Sequence, residues 1–196
     1  MPPGVHIRDV REHLFAAAER VLLRDGPNAL TSRAVTTEAD CAKGVLHRHF
    51  TDFDDFLAEL VYDRVRRIDL QAIELRASAG TSTVAANLTG ALTTVFSPVA
   101  VAIVALVTFR DELRARLRQT WPVGVPLLTE AVTMIAAYLA EERQLGRVAA
   151  DADLDALAPI LIGTGHLLFA DRTAPPTPEA VHAMVSTVLN QPPPAS

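Results

Sequence analysis

Residues 30–57 read LTSRAVTTEADCAKGVLHRHFTDFDDFL, and the spacing inside this stretch decides the fold. Thr31 stands where its hydroxyl can accept a hydrogen bond from the first turn of a short helix. Leu30, just before it, sits at the offset that staples onto Val35. The helix is expected to stop near Ala39, because Asp40 is one of the few non-glycine types that tolerates the left-handed backbone of a helix-to-helix corner. A second short helix is predicted over Ala42–His49, carrying Lys43, His47, Arg48 and His49 around a small apolar surface of Val45, Leu46 and Phe50. Isolated helices below roughly 12 residues are marginal in water, so this pair needs neighbours on both sides.

The flanks supply them. From Ile7 to Arg24 the residues Val10, Leu14, Ala17, Ala18, Val21 and Leu22 recur at three and four, one stripe of an amphipathic helix ended by Gly26 and Pro27. Its polar face carries Arg8, Arg11, Arg20 and Arg24 beside acids. On the other side Asp52 is a good N-cap, with Asp54 and Asp55 in the first turn, where the helix dipole favours anions. The helical period then runs through Phe53, Phe56, Leu57, Leu60, Val61, Val65, Ile68 and Leu75 to about Ala77. At 1.5 Å per residue this helix is about 35 Å long, enough to belong to both halves of the molecule.

Further helices are predicted over Thr81–Phe96, Pro98–Leu117, Pro122–Arg143, Leu154–Ala170 and Pro178–Leu189. No strand pattern and no internal repeat appears, so the fold class is all-α. Pro159 is expected to kink or open its helix, and the Pro-rich segment 191–196 reads as a disordered tail.

Composition narrows the function. The 196-residue chain is 49% hydrophobic with a net charge of −5, so it does not coat nucleic acid by bulk charge. Residues 1–50 hold seven Lys/Arg against six Asp/Glu, which leaves +1 there and −6 in the remainder, the asymmetry of a nucleic-acid-binding head on an acidic body. One cysteine, Cys41, excludes an internal disulfide, fits a reducing compartment and reads as a small buried hydrophobe. Ala77–Phe109 contains no charge, but its longest purely apolar run is Val99–Val107, well short of the ~20 residues of a membrane span. No secretory signal is read at the start, and a cytoplasmic protein is expected. His47 and His49 point about 200° apart on a helix, so no metal site is expected from them. No nucleophile–base pair and no phosphate-binding loop is present, and no enzyme or cofactor is expected.

A first helix, a tight two-helix unit opened by Thr31, the segment KGVLHRHF and a long acid-opened helix together resemble the TetR/AcrR family of transcriptional regulators. The resemblance is specific over Leu14–Leu60 and one of layout beyond, including the connection LGRVAADADLDALA. It implies a helix-turn-helix DNA-binding domain at 1–52 and an effector-binding and dimerisation domain at 53–190. It implies further that Ala42–His49 is the recognition helix, with Arg33 and Lys43 near base edges and Thr31, Ser32, His47 and His49 near phosphates. Ala42, Gly44 and Val45 would make the closest approach, and Arg48 lies on the same short helix. The chemistry agrees, since Arg and Lys bond guanine O6 and N7 and small residues let a helix N-terminus approach. This chain has Asp40, Ala42, His47 and Phe53 where the family usually has Gly, Ser or Thr, Tyr and Lys.

The resemblance also implies a small-molecule effector between the long helix and those after it. Candidate lining residues are Leu60, Ile68, Leu88, Leu92, Phe96, Ile103 and Val107, and further on Phe109, Trp121, Met134, Tyr138 and Phe169, with Asn87, Thr93 and His166 as polar handles. Scarce charge in this region suits an apolar effector. The segments 154–170 and 178–189 are expected to make a homodimer as a four-helix bundle with their symmetry mates, Gly163 and Gly165 allowing close approach. The expected function is a repressor released from a palindromic double-stranded DNA operator by a small apolar effector. The alternative is a dimeric ligand-binding or interaction protein whose head no longer binds DNA, a reading prompted by His47 and Phe53.

Overall fold

Five helix starts are written into single side chains. In the computed structural model, which describes residues 7–171 and 174–189, Thr31 Oγ1 accepts from Ala34 N at 3.1 Å and Asp52 Oδ1 from Asp55 N at 2.7 Å. Thr83, Asp153 and Thr177 do the same for Ala86, Ala156 and Ala180. Each such cap is worth about 1 kcal/mol. The helices are α1 (Ile7–Asp25), α2 (Ser32–Glu38), α3 (Gly44–His49), α4 (Phe53–Ala77), α5 (Val84–Val95), α6 (Pro98–Phe109), α7 (Asp111–Leu117), α8 (Pro126–Gln144), α9 (Leu154–Leu168) and α10 (Pro178–Val188). A 3-10 turn at Pro27–Ala29 joins α1 to α2, and no strand occurs among the described residues. The tail expected at 191–196 lies outside them.

Three expectations need correction. The helix predicted over Pro98–Leu117 is two, because Arg110 adopts an extended backbone (φ −115°, ψ 101°) and Asp111 opens a new helix with Glu112 in its first turn. Arg110 leaves the helical path where its side chain reaches Asp54, Nε to Oδ1 at 2.9 Å. The helix predicted from Pro122 begins at Pro126, after a loop in which Gly124 takes a positive φ of 79°. The helix predicted over Ala42–His49 begins at Gly44 and not at Ala42, with Lys43 as its N-cap residue and a Val45 N to Ala42 O bond of 2.9 Å closing the turn before it. The start expected at Thr81 falls three residues later, at Val84, where Thr83 caps the helix, and other ends differ by the one or two residues over which helix ends fray. Pro159 lies inside α9, which continues past it unbroken.

The described chain forms two compact units, with α4 running from one into the other. The first comprises residues up to Asp63 together with Ala102–Val125. Its core holds Leu14, Leu22, Leu30, Val35, Leu46, Phe56, Leu57 and Leu60, all 1% exposed or less. Phe50 meets Phe56 edge-on at 5.0 Å, and Phe15 lies 5.6 Å from Phe56. Edge and offset aromatic contacts of this kind add about 0.5–1.5 kcal/mol beyond the area they bury. This cluster fixes α1, α3 and the start of α4 to one another. The sequence boundary at 52/53 divides the chain by role, whereas packing adds α7 and most of α6 to the head.

The second unit comprises Arg64–Val101 and the residues from Pro126 onward. Here α8 packs on α9, α5 on α10 and α10 on α9. A buried polar cluster ties α8 to the turn after α4. Glu142 is fully buried, accepts from Tyr138 Oη at 2.5 Å and from Gly80 N at 3.3 Å, and lies 3.3 Å from Arg147 Nε. Asn87 Nδ2 donates to Tyr138 Oη at 3.0 Å and to Ser78 O at 3.1 Å, while Arg147 also donates to Ser82 O. Burial raises the Tyr138 phenol well above its ordinary range, and its hydrogen bond to Glu142 raises it further.

Gly165 is buried against Phe96, whose ring stacks on Phe169 at 5.4 Å. A Cβ at residue 165 would stand 2.6 Å from a carbon of that ring. The ring is buried and stacked, so it must shift to admit the methyl, and Gly165→Ala is expected to cost about 1–3 kcal/mol. Thermal unfolding checks this as a fall in Tm of roughly 2–12 °C, converted at the rate for a chain of this size. An unchanged melting curve would mean that the Phe96–Phe169 stack yields freely.

Candidate nucleic-acid interface

The geometry of the head follows from its corner. Asp40 takes φ 48°, the left-handed conformation expected, and Cys41 N returns to Thr36 O at 3.0 Å. His13 Nε2 lies 2.9 Å from Ala39 O, pinning α1 to the end of α2. Arg11 stacks over the Phe50 ring at 4.5 Å, reaches His49 O at 3.4 Å and pairs with Glu59 at 2.7 Å. Thus α1 holds both ends of the two-helix unit. Inside α2, the buried Thr36 spends its hydroxyl on Ser32 O and Arg33 O. Cys41 is half-buried, where loss of water and the neighbouring Asp40 push its thiol above the ordinary range.

The charges of the head sort into those that are paired and those that are not. Arg20 and Arg24 bind Glu38 at 2.7 and 2.8 Å, and the hydrogen bond from Arg20, then that from Arg24, holds the Glu38 carboxyl below its ordinary range. Those two arginines brace α1 against α2. The acids that open α4 are also engaged. Asp54 pairs with Arg110 at 2.9 Å, and Arg116 pairs with Asp52 at 2.8 Å and with Asp55 at 3.4 Å. The backbone N–H of Asp55, and secondarily Arg116, holds the Asp52 carboxyl below its usual range. Reasoning from the sequence assigned this triad to capping and missed its cationic partners, which lie more than 50 residues away and carry no local signal.

On α2, α3 and the turn between them the cations are Arg33, Lys43 and Arg48. All three are exposed, and none forms an ion pair with a described residue. Around them stand exposed Thr31, Ala42, Gly44 and His47, with Ser32, Val45 and His49 half-buried. Leu46 and Phe50 face the core at 0% and 4% exposure. The expected contact residues are therefore surface residues of α2, α3 and the turn between them. Phe53, where the resemblance leads one to look for a lysine, stacks on Phe56 at 5.7 Å and carries the Arg110 guanidinium 5.2 Å above its ring.

The expected effector residues fall apart into several environments. In the first unit Leu60, Ile103 and Val107 are core, and Trp121 stacks on Tyr62 at 5.4 Å. Phe109 is 77% exposed, because α6 ends there and leaves the ring beside Pro27 and Asn28. In the second unit Ile68, Leu88, Leu92, Phe96, Met134 and Tyr138 are buried, while His166 and Phe169 are half-buried around Phe96. Thr93 is exposed, its hydroxyl donating to Thr89 O. Between the end of α4 and α5 lies a cleft of about 310 Å³. Of the residues expected from sequence it takes Asn87 alone, and Gln71, Glu74 and Gly90 enter its wall without having been expected.

A three-helix head that presents free cations on a short helix after a tight turn, joined by a long helix to a helical body, has the architecture of a helix-turn-helix domain on a helical body. Residues 14–60 match the family described as bacterial regulatory proteins, tetR family. The fold extends the likeness along the whole chain. A TetR-family transcriptional regulator from Agrobacterium tumefaciens is 15% identical with a TM-score of 0.71, covering 94% of this chain and 98% of its own. The fatty acid degradation regulator FadR from Bacillus halodurans is 16% identical with a TM-score of 0.66, covering 91% and 94%. The multidrug binding protein EbrR, complexed with imidazole, is 18% identical with a TM-score of 0.60, covering 95% and 97%. No curated protein matches the sequence. The family match and the fold likeness are both to transcriptional regulators, and no single helix among the described residues is long and apolar enough to cross a membrane.

Proposed function

We propose that the protein is a homodimeric repressor released from a palindromic operator by a small effector with an apolar body. The observation that carries the DNA reading is the unpaired trio Arg33, Lys43 and Arg48 on the surface of α2 and α3, beside exposed Thr31 and half-buried Ser32. Arg11, Arg20, Arg24, Arg110 and Arg116 each have an acid, so on α2 and α3 these three are the ones left to meet phosphates and base edges. Homodimerisation is supported by the outward apolar residues of α9, Ile160 at 49% and Leu167 at 76% exposure, with Gly163 open between them. Such a face matches the segments 154–170 and 178–189 expected to pair about a two-fold axis. An effector in the body is supported by likeness of fold to EbrR, a multidrug binding protein. α4 runs without a break from the capped Asp52 to the cleft, so it is the element through which effector and operator would compete. Such coupling is typically about 1–3 kcal/mol and reciprocal.

One observation favours the second reading, a dimeric binding protein without DNA. Phe53 is committed to packing under Arg110 and offers phosphate nothing. Selection of bound sequences from random duplex DNA separates the two. The regulator is expected to enrich an inverted repeat whose half-sites are centred about 34 Å apart or a multiple of it. No enrichment over the input pool would favour the second reading.

A further inference from the structure

We infer that the cleft between the C-terminal part of α4 and α5 binds a small organic cation, an apolar body bearing N–H donors. Most donors in its wall are already spent. Asn87 Nδ2 bonds Ser78 O and Tyr138 Oη, the Ser78 hydroxyl bonds Leu75 O, and the Thr94 hydroxyl bonds Gly90 O at 3.0 Å. Beside the Gln71 amide, what remains is a set of acceptors. Asn87 Oδ1 accepts from no described group, and the exposed Glu74 carboxylate has no cation among the described residues. Gln71 Oε1 is buried without any partner.

A buried acceptor left unpaired is costly, and native structures contain few of them. The terminal torsion of glutamine is soft, so a small rotation turns this oxygen into the cleft. An anion would face Glu74, and a wholly apolar molecule would leave all three acceptors without donors. A cation with N–H groups satisfies them, while Leu75 and Ala91 cover its apolar part. The volume of about 310 Å³ is at the lower end of small-molecule sites. Asn87 also joins this wall to Tyr138 and through it to buried Glu142, so occupancy bears on the packing of α5 against α8. The assignment deepens the effector reading above and rests on it for the consequence to DNA.

Binding is tested without DNA, by titration calorimetry of the full chain with benzamidine, and with benzoate and benzamide as anionic and neutral isosteres. For a ligand of this size a Kd on the order of 1 mM is expected for benzamidine, and weaker binding for both isosteres. Glu74→Gln is expected to weaken benzamidine about 1.5- to fivefold, the range for an exposed, screened charge. Gly90→Leu is expected to abolish it. A Cβ at residue 90 meets nothing within 4 Å, and leucine is a better helix former than glycine, so this variant fills the cleft without disturbing α5. Benzamidine binding that survives Gly90→Leu, benzoate binding as tight as benzamidine, or no saturation by roughly 20 mM would overturn the proposal. Operator binding by the same proteins is followed separately. A failed titration with operator binding intact removes the cleft assignment alone, whereas a parent that binds no operator removes the regulator reading.

Discussion

The double variant Arg33→Ala/Lys43→Ala is expected to bind its operator roughly 10²- to 10⁴-fold more weakly than the parent, since a good contact to a base edge is worth about 1–3 kcal/mol. Both side chains are exposed and unpaired, so neither removal disturbs the folded head. The melting temperature should therefore hold, surface substitutions away from special features being worth within about 0.5 kcal/mol each. Fluorescence anisotropy across a salt series also distinguishes roles. If Arg33 and Lys43 read bases, the loss is confined to the operator and binding to unrelated DNA changes little. If they hold phosphates, binding weakens on all sequences and the salt slope falls by about one unit per contact removed. Arg48→Ala is the useful comparison, being a cation of the same short helix to which no base is assigned. Parent-like operator affinity in the double variant would show that α3 is not the recognition helix.

Glu142→Ala is expected to have the largest effect on stability. The carboxyl is fully buried and serves Tyr138, Gly80 N and Arg147 together. Removing one partner of a buried charged pair costs about 3–5 kcal/mol. For a chain of this length that is a fall in Tm of roughly 6–20 °C. Glu142→Gln, which keeps an acceptor of the same size, should lose much less. Replacing the cluster by apolar residues in Tyr138→Phe/Glu142→Leu should recover part of the loss, because fewer buried groups are then left unpaired. Scanning calorimetry of the three variants is the measurement. Equal melting of Glu142→Ala and the parent would mean that solvent reaches the site and the cluster organises nothing.

The head was legible because its signals are local. Thr31 caps α2 within three residues, Asp40 needs no distant partner to take a left-handed φ, and the apolar period of α1 and α4 marks their buried faces. The breaks were not. Arg110 ends a strongly helical apolar run because Asp54 and Phe53 wait for it on α4, and nothing near residue 110 announces them. For the same reason the acids at 52, 54 and 55 read only as caps until Arg110 and Arg116 are seen to engage them. In the body, Tyr138 was read as a lining residue and Asn87 as a separate polar handle. Only their meeting across 51 residues reveals that they bond each other and support Glu142, whose charge alone would have placed it on the surface.

By itself, then, the sequence determined the all-α class, the helix-turn-helix with its caps and corner, and the choice of surface residues on α2 and α3. Each rests on hydrogen bonds and periodicities spanning a few residues. The tertiary structure decided which charges are left free for DNA and which are consumed as braces, and where an acceptor-rich cleft opens. Those outcomes depend on electrostatic and packing partners tens of residues apart, which only the folded chain brings within a few ångströms.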